Sequence, residues 1–334
     1  MMRFLKFVGG VLLVFLIVLL ILPALMKDSA ETSQSIVVNA KAQTVFRQVN
    51  KLENWKNWSP FQLDDPKMKS VFEGSDFGVG SKHNWTSEEV GSGGMTITQS
   101  EPYTFIQNIL DMKGSGIAFD EWTFEPLPEG VKVTWTLKLS GLKYPFHRYF
   151  GYYIEGTMKP IQERGLAKLK EVAETQPDAP VVEEVELEAL PAMAIYDSAV
   201  MADLGVVTAQ NFELIQKRIR GQASAAPFAV FYNWSDSTAI HFRVGLPVAE
   251  EMRESGVVTS YTRPGGTALK AICKGDYSGL AAVHNEMDIY MAEHNLKLRG
   301  IGVYEEYVVG PLDTPLSADW ITYVIYPVAD KLEH

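Results

Sequence analysis

From Phe7 to Met26 the chain carries no charged residue, and Arg3 and Lys6 stand just ahead of that run. A helix rises about 1.5 Å per residue, so this stretch reaches about 30 Å, the hydrocarbon thickness of a bilayer. The pattern predicts a transmembrane anchor over residues 1–30. A cleaved secretory signal is the competing reading. Its apolar region is usually about 7–15 residues and ends in a small-x-small site, whereas Asp28 and Ala30 occupy the two recognition positions here. The basic residues before the run and the polar, acidic stretch after Lys27 predict a single-pass protein with a cytoplasmic N-terminus. The remainder would then lie outside the cytoplasm, on the outer side of a bacterial inner membrane.

Beyond the anchor the periodicity changes several times. Ile36 to Val38 reads as a strand, and Val45, Phe46, Val49 and Leu52 give one apolar face of a helix. The best strand is Val131 to Leu139, with Val131, Val133, Trp135, Leu137 and Leu139 on one face and Lys132, Thr134, Thr136 and Lys138 on the other. Pro160 suits the first turn of a helix whose stripe is Ile161, Leu166, Leu169, Val172 and Ala173. Pro177, Pro180 and the run Glu183, Glu184, Glu186 and Glu188 then break the pattern. The domains expected are therefore 34–176 and 183–334, joined by a linker over 177–182.

The second of these repeats itself. Phe242 to Glu250 returns as Thr322 to Asp330, and a helix at Thr208 to Arg220 corresponds to one at Leu280 to Asn295. Two strand-helix-strand-strand units predict a pseudo-twofold domain with a cavity at their interface. The fold class is α+β throughout.

Composition narrows the function. Thirty Lys plus Arg against 41 Asp plus Glu give a net charge of −11, so no nucleic-acid partner is expected. A single cysteine, Cys273, excludes an internal disulfide and a thiolate zinc site and reads as core. No metal site or cofactor is expected, and GxSxG, HExxH and the phosphate-loop pattern are all absent. His83 and His147 are isolated, and Trp55, Trp58, Trp85, Trp122 and Trp135 either line a cavity or fill the core.

Two resemblances follow from particular residues. Ala42 to Phe61, Phe77 to Trp85, Val131 to Trp135 and Gly165 to Glu174 resemble the polyketide cyclase/dehydrase branch of the START-related superfamily over residues 34–175. The resemblance implies a helix-grip fold around a hydrophobic pocket used by different members for transport, binding or cyclisation. Glu305-Glu306-Tyr307, Pro311, Thr314-Pro315, Trp320 and Thr322 to Val328, with Gly275-Asp276-Tyr277, are similar to the GyrI-like small-molecule-binding domain. That family implies binding of drug-like molecules, and hydrolysis of strained rings by a few members. Relatives carry an acid after the Thr of the last strand; here Tyr323 stands there and Arg243 is its repeat mate.

The candidate ligand residues are Arg243, Glu305, Tyr307, Trp320 and Tyr323. Glu305 shares a strand face with Val303, Tyr307 and Val309, while Glu306 points the other way, to solvent. Arg243 and Tyr323, if they face the cavity, favour neutral or anionic amphipathic ligands; the competing placement turns Arg243 to solvent or onto Glu305. The function expected is a membrane-anchored, extracytoplasmic binder or sensor of hydrophobic or amphipathic small molecules. The alternative is a hydrolase or cyclase acting on such a compound.

Overall fold

A computed structural model describes residues 2–111, 117–234, 238–250 and 252–329, and the chain divides into two compact units, Met1–Asp178 and Ala179–His334. The first unit opens with α1 (Met2–Leu25), whose Phe7–Leu25 stretch is long and apolar enough to cross a membrane. The side chains of Arg3 and Lys6 lie outside the described residues. Strand β1 (Ala30–Val38) follows, then α2 (Ala42–Asn50), a 3-10 turn (Leu52–Asn57) and α3 (Pro60–Asp64).

Six strands come next: β2 (Lys69–Glu73), β3 (Lys82–Thr86), β4 (Ser92–Glu101), β5 (Phe105–Asp111), β6 (Ile117–Leu127) and β7 (Gly130–Ser140). They form one antiparallel sheet in the order β1-β7-β6-β5-β4-β3-β2. The alternation in β7 places Val131, Val133, Trp135, Leu137 and Leu139 inward. The long helix α4 (Phe146–Glu174) contributes Leu166, Leu169 and Ala173 to the same core.

Helix α4 begins well before Pro160, which lies in its interior instead of its first turn. The ring of an interior proline crowds the residue four places earlier and removes one backbone hydrogen bond. That earlier residue is Gly156, whose exposed position lets water take the carbonyl left without a partner.

The second unit comprises β8 (Val182–Leu187), β9 (Leu190–Ala199), α5 (Leu204–Ile219), β10 (Phe228–Phe231) and β11 (Ile240–Pro247), then β12 (Thr259–Arg263), β13 (Gly266–Lys274), α6 (Leu280–Glu293), β14 (Val303–Val309) and β15 (Ile321–Pro327). The sheet order β12-β9-β11-β10-β14-β15-β13-β8 reads the same from either end once the two repeats are superposed. Each repeat is the expected strand-helix-strand-strand unit, with one extra leading strand lent to the other half: β8 pairs with β13 and β12 with β9. The Glu-rich run is thus edge strand β8, beginning at Val182 inside the expected linker. Its Val182, Val185 and Leu187 are half-buried while Glu183, Glu184 and Glu186 are exposed, and charges on a sheet edge oppose pairing with another chain.

Candidate functional site

Helices α5 and α6 lie over one face of the second sheet, where Met193, Phe242, Val244 and Val324 meet Ile215, Ile219, Val283 and Met287. Between them opens a cavity of about 1370 Å³ lined by Leu204, Thr208 and Phe212 from α5, by Leu280, Ala281 and His284 from α6, and by Glu305, Tyr307 and Tyr326 from the sheet. Phe231, Trp234 and Tyr277 complete an aromatic wall.

Glu305 is only 5% exposed. The Tyr307 hydroxyl donates to its Oε2 at 2.8 Å, and His284 Nε2 approaches its Oε1 at 3.0 Å. On its other side the His284 ring meets the Tyr326 hydroxyl, Nδ1 to oxygen, at 3.0 Å. The imidazole thus bridges the carboxylate and the Tyr326 hydroxyl through its two ring nitrogens, and Tyr326 also interacts with Asp288. Burial, and after it the Glu305 charge, pushes the Tyr307 phenol well above its usual range. Tyr277 is raised by the same two causes, and Tyr326 mainly by burial. All three stay protonated donors at neutral pH.

The rings support one another: Phe212 and Tyr277 both meet Tyr307 edge-on, at 5.9 and 5.7 Å, and Trp234 meets His284 edge-on at 5.5 Å. The remaining charged groups on the wall are Glu213, Asp288, Asp313 and Lys217, which leaves the cavity acidic.

Of the five residues singled out in the sequence, Glu305 and Tyr307 line this cavity. Trp320 packs on Tyr277 at 4.8 Å and donates from Nε1 to the Thr314 carbonyl at 3.0 Å, so it braces the wall. Arg243 and Tyr323 are not at the cavity. Their strand neighbours Phe242 and Thr322 are the ones buried towards the helices, and alternation sends Arg243 and Tyr323 to the opposite face.

There the Arg243 guanidinium lies 4.5 Å from the Tyr261 ring centre and 5.6 Å from that of Tyr196, while the Lys270 ammonium lies 5.1 Å from that of Tyr323. Glu306 is on that face too. It is half-buried there and accepts from the buried Arg263 at 2.9 Å. The anion-favouring cavity expected from Arg243 and Tyr323 therefore gives way to a carboxylate-floored one.

Sequence reasoning missed His284, Tyr326 and Trp234. The one available signal was helical spacing, since Leu280, His284 and Asp288 recur every four residues on a single face of α6.

The first unit holds a second cavity, about 390 Å³, walled by the sheet and by Ile154 and Met158 of α4. Trp55, Trp85 and Trp135 line it, whereas Trp58 and Trp122 are fully buried core. His83 also lines it, stacked on Phe72 at 4.7 Å with Nε2 2.9 Å from the Ser70 hydroxyl; burial pulls its imidazole down to about 4.

Solved structures similar to this chain include the C-terminal domain of EcmrR, at 16% identity, covering 46% of this chain and 99% of that one with a TM-score of 0.41. An EcmrR–DNA complex is similar at 14% identity, covering 55% and 70% of the two chains with a TM-score of 0.43. A hydrolase from Listeria innocua is similar at 12% identity, covering 48% and 98% with a TM-score of 0.34. A comparison with curated proteins finds no match. Two family descriptions do match, each to one of the units, and with them the chain is placed as a tandem of a polyketide cyclase/dehydrase and lipid transport domain over residues 29–174 and a GyrI-like small molecule binding domain over residues 180–329.

Proposed function

We propose that this is a membrane-tethered protein that binds and senses amphipathic, cationic small molecules in the Glu305 cavity, on the extracytoplasmic side. The observation that carries the reading is the buried carboxylate of Glu305, set among aromatic rings and held by His284 and Tyr307. An acidic, ring-lined cavity attracts a cation by charge and by the ring faces together. Both domain families are small-molecule-binding families, which supports ligand binding in general.

The tether is supported by α1 and by what surrounds its end. Arg148 donates to the Pro23 and Met26 carbonyls at 2.9 and 3.2 Å. Tyr144, Phe146, Tyr152 and Tyr153 are exposed close to these contacts. Aromatic residues of this kind favour the headgroup layer at the end of a spanning helix. The net charge of −11 argues against nucleic acid as a partner.

The test is mass spectrometry of small molecules released from the purified chain, followed by titration of the compound found. Glu305→Gln is expected to weaken binding of a cationic ligand by about 1.5–3 kcal/mol, the scale of a charge-assisted hydrogen bond. Arg243→Ala, on the other face, is expected to leave that affinity unchanged. Equal binding by wild type and Glu305→Gln overturns the reading.

A second reading, a hydrolase, is favoured by the row Tyr326, His284, Glu305, Tyr307, which sets a carboxylate and an imidazole side by side at the cavity wall. It predicts that the bound compound is consumed on incubation, whereas a binder returns it intact.

A further inference from the structure

The inner face of β6 runs Ala118, Asp120, Trp122, Phe124, with one acid in an apolar row. Asp120 is 3% exposed and lies on the wall of the first unit's cavity. Its Oδ2 accepts from Asn108 Nδ2 at 2.9 Å and from Trp122 Nε1 at 2.8 Å, and its Oδ1 accepts from Trp135 Nε1. All three donors are neutral. Among the described residues no Lys, Arg or His pairs with it, although ion pairs occur elsewhere on the same sheet, such as Lys138 with Glu121 on its outer face.

Three N–H donors favour the ionised carboxylate. Burial opposes them and raises the pKa. A carboxylate taken out of water without a counter-ion is costly, and natural interiors rarely keep one. Asn108 deepens the oddity, since its Oδ1 is buried without a partner beside the same acid. Most of the wall is apolar and aromatic, with Trp55, Phe61, Phe72, Trp85, Trp135 and Met158, and its other ionisable groups are Lys56, His83 and Asp111.

We infer that the first unit's cavity takes an aromatic or alicyclic molecule bearing one protonated amine, and that Asp120 selects it by supplying the counter-charge. A cation entering between the indoles meets the carboxylate and the ring faces at once. A neutral alcohol of the same shape keeps the apolar contacts but leaves the charge unanswered. A carboxylate ligand meets a like charge in a site of low dielectric and is rejected. The inference rests on the reading that this chain holds small molecules, but not on the Glu305 cavity.

The test uses the full chain in detergent, labelled with 5-fluorotryptophan, and follows the fluorine lines of its seven tryptophans. Trp55, Trp85 and Trp135 report this cavity, and Trp234 and Trp320 report the other unit. The probes are 2-(1-naphthyl)ethylamine, 2-(1-naphthyl)ethanol and 1-naphthylacetate.

The amine is expected to move the Trp85 and Trp135 lines at a concentration at least tenfold lower than the alcohol, and the acetate not to move them. Asp120→Asn, which removes the charge and keeps one of the two acceptor oxygens, is expected to remove the difference between amine and alcohol. Ile154→Trp, which crowds the cavity and leaves Asp120 in place, is expected to silence both probes, so that if Asp120→Asn does not fold it locates the amine preference of the wild-type chain in this cavity, and a preference that persists in it overturns the inference. Equal response to amine and alcohol in the wild-type chain, or a preference that survives Asp120→Asn, overturns the inference. Movement of the Trp234 line alone also overturns it, and leaves the reading of the Glu305 cavity standing.

Discussion

Glu305 lies on the pseudo-twofold axis of the second unit. The repeat aligns Gly245 with Ile325; the first pairs with Phe228 and the second with Tyr304, so Ala229 is the counterpart of Glu305. Ala229 and Glu305 also face each other across β10 and β14. Two acids there would oppose each other directly across a ladder, where like charges destabilise, so a single repeat carries the carboxylate. Strand-face logic applied to Val303, Glu305, Tyr307 and Val309 was enough to place Glu305 inward. The partnership with His284 was not legible, because a helix-to-sheet contact 21 residues away leaves no local pattern.

Arg243 and Tyr323 failed for a related reason: the repeat made them equivalent to each other, but equivalence does not say which face either one takes. Asp120 was readable as the one acid at an inward position of β6, and the alternation that exposes it was read only in β7.

His83 carries a prediction at the same scale. Its imidazole stays neutral down to about 4 in the folded chain, against an ordinary value of 6.5. The unfolded chain therefore takes up this proton first as pH falls, and the stability contribution is complete above 6.5 and lost towards 4. Between pH 7 and pH 5 the loss is expected to be about 2 kcal/mol. Urea melts of wild type and His83→Gln at both pH values measure it: the variant should lose less stability on acidification by about that amount, and parallel losses refute the assignment.

Among the elements, α4 is held close to its neighbours by an absence. A Cβ on Gly165 would stand 2.8 Å from Pro60 Cδ and 2.8 Å from Trp135 Cζ3, one on α3 and one on β7. Neither neighbour can swing away, since the proline opens α3 and the indole is pinned to Asp120. Gly165→Val is expected to destabilise the chain by about 1–3 kcal/mol, the cost of overpacking, and to shrink the first unit's cavity. A thermal melt checks the first effect and the response of Trp135 to naphthyl probes the second.

The stripe of α4 from Ile161 to Ala173 was plain in the sequence, but its true start was not. Pro160 looks like a beginning because proline is welcome in a first turn. The residue whose carbonyl loses its partner, Gly156, is exposed to water, and the helix continues past Pro160 to Glu174. The acidic run marks the domain boundary by composition but gives no strand pattern, and Val182, Val185 and Leu187 bind it to the sheet as a charged edge that starts one residue inside the expected linker.

At the scale of the whole molecule, residues 178 and 179 separate two units with distinct hydrophobic cores. Each unit is long enough to own a core. Residues 27–178 and 179–334, expressed separately, are expected to melt cooperatively, as two-state domains of this size usually do. Loss of the cooperative transition in either piece would mean that the cores depend on each other.

The orientation of the chain rests on the asymmetry around α1. Arg3 and Lys6 precede the apolar stretch, and Asp28 and Glu31 follow it closely. Basic residues are retained on the cytoplasmic side, so this order predicts that both units are exported. The contacts of Arg148 with the Pro23 and Met26 carbonyls give the end of α1 a structural place in the first unit, which a removable signal does not need. Protease added to spheroplasts is therefore expected to digest both units, and the membrane fraction to retain the intact chain before digestion. Full protection would reverse the orientation. A soluble mature form beginning near Glu31 would show instead that α1 is cleaved, and would turn its hydrogen bonds to α4 into contacts of the precursor alone.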